Sequence, residues 1–257
     1  MADTLCFDAT EYRPGTRHPR HQHDCLHLSL VLRGSVAEAV GNVTEYAGAL
    51  SIVAKDAGVV HEDRFGPTGA RLARLTLPLG TIGALIDDPS RAPSWQWRHH
   101  PDVARAFLRL VRRARAGVAA FGSDDQDLLD VLALLTAQPA PAPRGRPPAW
   151  LEQTMRDLRE SWHPDLTVRD VARGAGVHPV YLARSVRRWY GTGVGEEMRR
   201  LRFRRAVASI AETKATVSKV AHEAGFSDEA HLCRSFRRSL DISPRRYRVL
   251  LNGGADS

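Results

Sequence analysis

Ten consecutive residues hold four histidines and a cysteine: His18, His21, His23, Cys25 and His27. The chain has only eleven histidines in 257 residues, so the clustering asks for a chemical reason. Imidazole nitrogens suit Zn²⁺, Ni²⁺, Cu²⁺ or Fe²⁺ far better than Mg²⁺. Residues two apart on a strand share a face, so His21, His23 and His27 could converge on one side. Cys25 would join them there as a soft ligand or an oxidisable thiol. The opposite face would carry Leu26, Leu28, Leu30 and Leu32. If those leucines face the interior, the histidines point outward. If the histidines face inward, the leucines must be covered by helices or by a second subunit. The pattern leaves both arrangements open. It equally allows histidines that line an organic-ligand pocket or simply end a strand.

The elements that would position these residues follow from periodicity. From about Leu26 to Leu79 the sequence runs in short alternating segments broken by glycine ("LHLSLVLRG", "SVAEAV", "ALSIVA", "ARLARLTLP"), which predict strands of a compact β domain. Two apolar-periodic stretches then predict helices at about 101–116 and 124–137. The first carries Val103, Phe107, Leu110 and Val111 on one face, and the second starts with acidic residues where the helix dipole favours them. Their apolar faces could pair between two subunits or pack on the β domain. Gln138 to Pro148 holds five prolines in eleven residues and predicts an extended linker.

Composition sets outer bounds. A chain of 257 residues, 43% hydrophobic and 26% charged, has the make-up of a soluble globular protein and the length of one large domain or, more usually, two smaller ones. It lacks the roughly 18-residue apolar run of a membrane span, and its first residues lack the pattern of a secretory signal, which predicts a cytoplasmic location. Cys6, Cys25 and Cys233 are far apart and form no C-x-x-C pair, against a disulfide framework or zinc finger. The net charge of +8 is unevenly placed. Residues 1–149 carry 17 Lys/Arg against 16 Asp/Glu, whereas 150–251 carry 20 against 12. A basic segment joined to a neutral one predicts a polyanion-binding module attached to a sensor or effector module.

The basic segment contains a repeat. Thr167–Arg188 ("TVRDVARGAGVHPVYLARSVRR") overlays Thr216–Arg238 ("TVSKVAHEAGFSDEAHLCRSFRR") with eleven identities and one inserted residue. Two copies of one supersecondary unit are the usual meaning of such a repeat. Each begins at a threonine suited to N-capping (Thr167, Thr216) and turns at a glycine (Gly176, Gly225). Each then enters a second helix whose first turn holds Pro179 in one copy and Asp228-Glu229 in the other, both favoured at helix starts. Leu182, Val186 and Tyr190 form one face of that helix, as do Leu232, Phe236 and Leu240 in the second copy, and these faces should be buried. Opposite them stand Tyr181, Arg184, Arg187 and Arg188, matched by His231, Arg234, Arg237 and Arg238. Two amphipathic helices with solvated arginines are the bland alternative. Matching arginine faces in the only basic segment point instead to two helix-turn-helix units that bind double-stranded DNA, at about 167–190 and 216–240.

Residues from about Trp150 to Leu250 resemble the DNA-binding domain of the AraC/XylS class of bacterial transcription regulators. Val220–Arg248, "VAHEAGFSDEAHLCRSFRRSLDISPRRYR", is similar to that family's A-x-x-x-G-F-x-D-x-x-x-F-x-R-x-F-K-R-x-x-G-x-S-P-x-x-Y-R signature, and "MRRLRFRRAVASI" resembles its linker helix. Leu232 departs from the usual phenylalanine, and Asp241 from the usual glycine. The resemblance implies seven helices, with recognition helices entering successive major grooves of a non-palindromic site, and recruitment or obstruction of RNA polymerase. By motif position, Tyr181, Arg184, His231 and Arg234 would lie nearest base edges. Arg187, Arg188, Arg237 and Arg238 would meet phosphates, and Val180, Ala183 and Ala230 would lie near thymine methyls.

The same family implies a cupin-like N-terminal β-barrel that senses a small molecule. Residues 15–34 read G-x5-H-x-H-x3-H-x6-G (Gly15, His21, His23, His27, Gly34), similar to the first cupin motif with His27 in place of glutamate. "GALSIVAKDAGVVH" echoes the second motif from Gly48 to His61, with two extra residues and Asp56 where proline is usual. The expected organisation is an α+β, two-domain chain. It has a cupin-like sensor at 1–90, a helical and potentially dimerising segment at 91–137, a linker at 138–149 and an all-α DNA-binding domain at 150–250. The expected function is a DNA-binding regulator, not an enzyme, with a small molecule or a divalent metal (Zn, Ni, Cu or Fe) held by His21, His23, His27 and His61. RNA polymerase is the expected partner on DNA, with no membrane partner. The alternative is a cupin-type metal-dependent dioxygenase or isomerase joined to a DNA-binding domain. A methyl-transfer repair fusion is set aside because no P-C-H-R motif is present.

Overall fold

The computed structural model describes residues 6–77, 94–116, 125–136 and 145–252. The chain divides into two compact units: Met1–Ala137 with Ile210–Thr213 and Cys233–Ser257, and Gln138–Ser209 with Lys214–Leu232. The expected β-barrel is built as one bent antiparallel sheet of β1 (Cys6–Tyr12), β2 (Arg17–His21), β3 (Leu26–Val40), β4 (Val43–Gly48), β5 (Ile52–Lys55), β6 (His61–Leu77) and β7 (Trp95–Arg98). The order is β1-β6-β3-β5-β7, with β2 also on β6 and β4 also on β3. Three strands fall outside the predicted Leu26–Leu79 stretch. β1 and β2 carry no clean apolar alternation, because their inward face is partly polar, and β7 is only four residues long.

β3 and β6, 15 and 17 residues long, hold the sheet together. Strands of that length must bend, and their pairing slips register between Val31 and Arg33 and again between Gly34 and Val36. An odd register slip exchanges the faces of a strand. His27 and Ser29 accordingly line the interior cavity before the irregularity, and Val36 and Glu38 line it afterwards. Gly34 makes the crossing possible: its φ is +75°, and a Cβ there would stand 2.0 Å from the Gly69 carbonyl oxygen. This geometry answers the question raised by the histidine-rich stretch. The histidine side of β3 faces the cavity. Leu26, Leu28, Leu30 and Leu32, on the other side, are also fully buried.

Helices α1 (Pro101–Arg115) and α2 (Gln126–Thr136) follow, close to the predicted bounds. Pro101 occupies the first helical position, and the His100 ring accepts from the Asp102 N–H at 3.3 Å. Val103, Phe107, Leu110 and Val111 are buried within a single chain, so this face is already covered. Ion pairs lock the two helices together: Arg109 to Asp130 at 2.8 Å and Arg113 to Asp125 at 2.8 Å. The greater part of the predicted linker, residues 138–144, lies outside the described residues.

Seven helices make up the C-terminal segment, as the resemblance implied: α3 (Ala149–Glu160), α4 (Val168–Gly174), α5 (Pro179–Tyr190), α6 (Val194–Glu212), α7 (Val217–Glu223), α8 (Glu229–Leu240) and α9 (Pro244–Asn252). A cluster of Leu151, Met155, Leu158, Trp162, Leu182 and Val186 forms the core around the first helix-turn-helix. Within the first unit, Tyr247 of α9 is completely buried and donates its hydroxyl to the Leu32 carbonyl at 2.6 Å. Asp241 ends α8 with φ +58°, the left-handed conformation that glycine adopts at low cost, and its N–H closes on the Arg237 carbonyl at 3.0 Å. The family's glycine is thus replaced in residue type while its backbone geometry is kept.

Two substitutions should shift urea-unfolding stability in opposite directions. Gly34→Ala forces a Cβ into backbone at positive φ and should cost about 1–3 kcal/mol. Asp241→Gly relieves a left-handed non-glycine residue and should stabilise by roughly 0.5–1 kcal/mol.

Candidate functional site

The inner face of the sheet encloses a cavity of about 350 Å³. Tyr12, Val36, Val53, Phe65, Leu72 and Trp97 supply apolar wall, and the Tyr12 and Phe65 rings stack at 3.9 Å. The polar lining consists of His18, His21, His23 and His27 with Glu38, Lys55, Asp63, Arg74 and Ser29.

Glu38 is the most deeply buried of these charges, at 1% exposure. One carboxylate oxygen accepts from Lys55, and the other accepts both the Trp95 and Trp97 indole N–H groups, each at 2.8 Å. A buried carboxylate is tolerated only when its hydrogen-bonding capacity is filled in this way. Sequence reasoning missed all four residues. The signal was there in "WQWR", whose two tryptophans two apart on a strand share a face, and in a lone glutamate within the alternating "SVAEAV". Arg74 donates to the Tyr12 hydroxyl at 2.9 Å and leaves its buried Nε without a partner.

The histidines converge by a different route from the one expected. β2 ends at His21, and Gln22–Cys25 form a connection, so His21, His23 and His27 do not share one strand. His21 leaves β2, His23 projects from the loop, His27 stands on β3 and His61 opens β6. The loop is fixed by the Gly58 N–H donating to the His23 carbonyl at 2.8 Å. His21, His23 and His61 bring ligand nitrogens within 4.8 Å of one another. His27 lies 4.2 Å from His23 between ring centroids but stays outside that triangle. Cys25 is half-buried and neither lines the cavity nor joins a ligand group, because the loop breaks the alternation that would have placed it there. His18, absent from the expected ligand set, pairs with Asp63 at 3.7 Å.

Hydrogen bonds fix two of the three tautomers. A carbonyl only accepts, so the contacts of His21 Nδ1 with Pro19 O (2.8 Å) and of His61 Nδ1 with Val59 O (2.9 Å) place the ring protons on Nδ1. His61 Nε2 is buried with no hydrogen-bond partner. Burial, reinforced by Lys55, lowers the His23 pKa to about 4, and burial lowers His27 to about 3. His61 is lowered as well, first by burial and then by Lys55. These three rings are neutral near pH 7, the form that ligates metal.

In the C-terminal segment, each helix-turn-helix carries its predicted caps. Thr167 and Asp170 form a reciprocal capping box, and Thr216 accepts from the Lys219 N–H at 3.2 Å. Gly176 and Gly225 take φ +66° and +76° at the two turns. On α5, Leu182 and Val186 are buried while Tyr181, Arg184, Arg187 and Arg188 are exposed. Tyr190 is only partly buried, since it closes the helix at the rim of the core. Tyr181 stacks on Trp150 with centroids 5.6 Å apart. On α8, Leu232, Phe236 and Leu240 are buried, and Arg234, Arg237 and Arg238 are exposed. His231 is half-buried, edge-on to Phe226 at 5.1 Å and 3.1 Å from the Ser227 hydroxyl. Among the described residues, none of the six exposed arginines on α5 and α8 pairs with an acid.

Residues 7–132 match the model of the AraC-like ligand binding domain, and residues 171–249 match a helix-turn-helix domain model. The chain belongs to the AraC family. Among the curated relatives of this AraC-family chain, Regulatory protein PocR of Salmonella typhimurium is 24% identical over 102 residues, 40% of this chain and 34% of PocR. The uncharacterized HTH-type transcriptional regulator YijO of Escherichia coli is 30% identical over 99 residues, 38% of this chain and 35% of YijO. The chain thus spans about a third of the length of these relatives. A crystal structure of ToxT from Vibrio cholerae with bound unsaturated fatty acid aligns over 100% of this chain and 99% of that one, at 11% identity and a TM-score of 0.39.

The Glu38–Lys55 pair makes the cavity end testable by a double-mutant cycle. Glu38→Met alone strands a buried ammonium and should cost about 3–5 kcal/mol in urea unfolding. Adding Lys55→Met should recover much of that loss, a coupling that an exposed pair would not show.

Proposed function

We propose that this chain regulates transcription: α5 and α8 bind promoter DNA, and the occupant of the N-terminal cavity sets the outcome. The observation that carries the reading is the pair of arginine faces on two capped helices, free of acidic partners. Solvated helix faces usually intersperse both charge signs, and these do not. Arg184 and Arg234, nearest the helix starts, are the base-reading candidates alongside Tyr181 and His231. Arg187, Arg188, Arg237 and Arg238 are the phosphate contacts.

PocR and YijO are named as regulators, and that favours a regulator over an enzyme. A dioxygenase or isomerase would need a metal with an open coordination position and turnover of a substrate in the cavity. RNA polymerase is the partner through which a bound regulator acts, and the cytoplasm is where it would meet DNA. No helix among the described residues is long and apolar enough to cross a membrane. A homodimer, if formed, would use a surface other than the α1 face, which is buried in the single chain.

Gel shift against the protein's own promoter region tests the DNA reading. Arg184→Ala with Arg234→Ala should abolish specific retardation, and retained sequence preference would contradict the assigned faces. Replacing Arg187 or Arg238 by Ala should weaken all sequences alike and lower the salt slope by about 0.9 for each phosphate no longer neutralised.

A further inference from the structure

The outer face of β2, β6, β3 and β4 carries polar side chains that neither the cavity nor the DNA-binding helices use. Val36, Glu38, Asp63 and Phe65 line the interior cavity, so their neighbours Ala37 and Arg64 point to the other side of the sheet. Register pairs Arg17 with Arg64, Arg64 with Ala37, and Ala37 with Tyr46, which makes one row across four strands. Direct cross-strand partners stand about 5 Å apart at Cα, so two guanidinium groups leave the sheet side by side. Like charges directly opposite each other destabilise a sheet. No acid offsets this pair: among the described residues, neither Arg17 nor Arg64 makes a salt bridge or a hydrogen bond. Other arginines of the same domain do find acids, as Arg33 does with Glu11 and Arg113 with Asp125.

The row crosses a depression of about 530 Å³ whose described lining contains both arginines, Ser35 and Tyr46 and no acid. Ala37, Gly48 and Gly66 keep its floor low. At Gly66 a Cβ would stand 2.1 Å from Ser35 Oγ, so glycine is what leaves that hydroxyl its room. Neither the Ser35 nor the Tyr46 hydroxyl has a hydrogen-bond partner among the described residues. Tyr46 is 78% exposed, so its ring is open to stacking. At a strand spacing of about 4.8 Å it stands two strands, roughly 10 Å, from Arg64. An adjoining depression of about 360 Å³ shares the row but also holds Glu62 and Asp63. An anion is therefore repelled from the second depression and drawn to the first.

We propose that this outer groove binds a small phosphorylated molecule that carries a planar ring, such as a nucleoside monophosphate. Two guanidinium forks match the oxygens of one phosphate, and its charge of nearly −2 removes the repulsion between the arginines. A carboxylate carries half that charge and leaves one guanidinium unmet. The Ser35 hydroxyl is a further donor in the groove, and Tyr46 takes the ring. The site lies on the opposite face of the sheet from the cavity and does not rest on the promoter-binding reading.

Full-length protein in about 0.15 M salt is titrated by calorimetry with ribonucleoside 5′-monophosphates, the matching nucleosides and inorganic phosphate. At least one monophosphate should bind at one equivalent, about 10-fold or more tighter than phosphate or its own nucleoside. Arg17→Gln and Arg64→Gln should each weaken it by more than about 10-fold, the worth of a charge-assisted hydrogen bond. Each should also raise the urea midpoint, because the like-charge pair is gone. Tyr46→Leu should reduce the monophosphate to the affinity of phosphate alone. Arg33→Gln, which removes an arginine of the same sheet outside the groove, should bind as the parent does. Three results overturn the proposal: no monophosphate tighter than phosphate, parental affinity in both arginine variants, or a lowered midpoint in both. Loss of binding in Arg33→Gln with the fold intact by circular dichroism also overturns it. Gel shift on the same variants separates the other source of phosphate. A lower salt slope for promoter binding in Arg17→Gln, with no small phosphate bound by the parent, makes the groove a DNA contact and overturns the site. Lost nucleotide binding with unchanged promoter binding supports it.

Discussion

Glu38 places a carboxylate at 1% exposure, and much of the N-terminal domain is arranged so that this is tolerable. Its oxygens are met by an ammonium from β5 and two indole N–H groups from β7. Each donor comes from a strand on the far side of β3 from β6, so the hydrogen bonds tie the sheet's curvature to a single point. Such a cluster is not a source of net stability, because desolvation of the charges offsets most of their attraction. What it contributes is a junction: β3, β5 and β7 are tied together at one carboxylate. The same packing leaves a cavity beside it, lined by Tyr12, Phe65 and Trp97 and by the imidazoles of His18, His21, His23 and His27.

The irregularity in β3 is what allows one strand to serve both sides of this design. Before it, alternate residues offer His27 and Ser29 to the cavity and four leucines to the opposite, buried face. After it, the parity reverses and Glu38 points inward. Gly34, pressed against the Gly69 carbonyl at positive φ, is the residue that permits the exchange. A strand buried on both faces needs its polar residues partnered inside, and that is the work of Lys55 and the tryptophans.

Much of this could be read from the chain, for definable reasons. The helix-turn-helix repeat was legible because its signals are local: a threonine cap, a glycine turn and apolar residues at helical spacing, each repeated. Its outcome in the structure includes the burial of Leu182, Val186, Leu232 and Phe236 and the exposure of the arginines. The departure at Asp241 was legible as a departure, though its consequence was not. The backbone keeps the left-handed turn and carries the cost in aspartate. The histidines were legible as a cluster, but strand alternation misplaced Cys25, since a loop at Gln22–Cys25 interrupts the period. Glu38, Lys55, Trp95 and Trp97 stayed hidden because their partnership spans 17 to 59 residues of sequence and exists only once the sheet has curved.

An AraC-family chain with two arginine-faced helices makes its central claim on DNA: two helix-turn-helix units read one site together. Hydroxyl-radical footprinting on a promoter fragment retained by the full-length protein tests this most directly. The account predicts two protected patches on one face of the duplex, about one helical turn or 10.5 base pairs apart, over a non-palindromic sequence. A single protected patch, or a footprint symmetric about a palindrome, would contradict it.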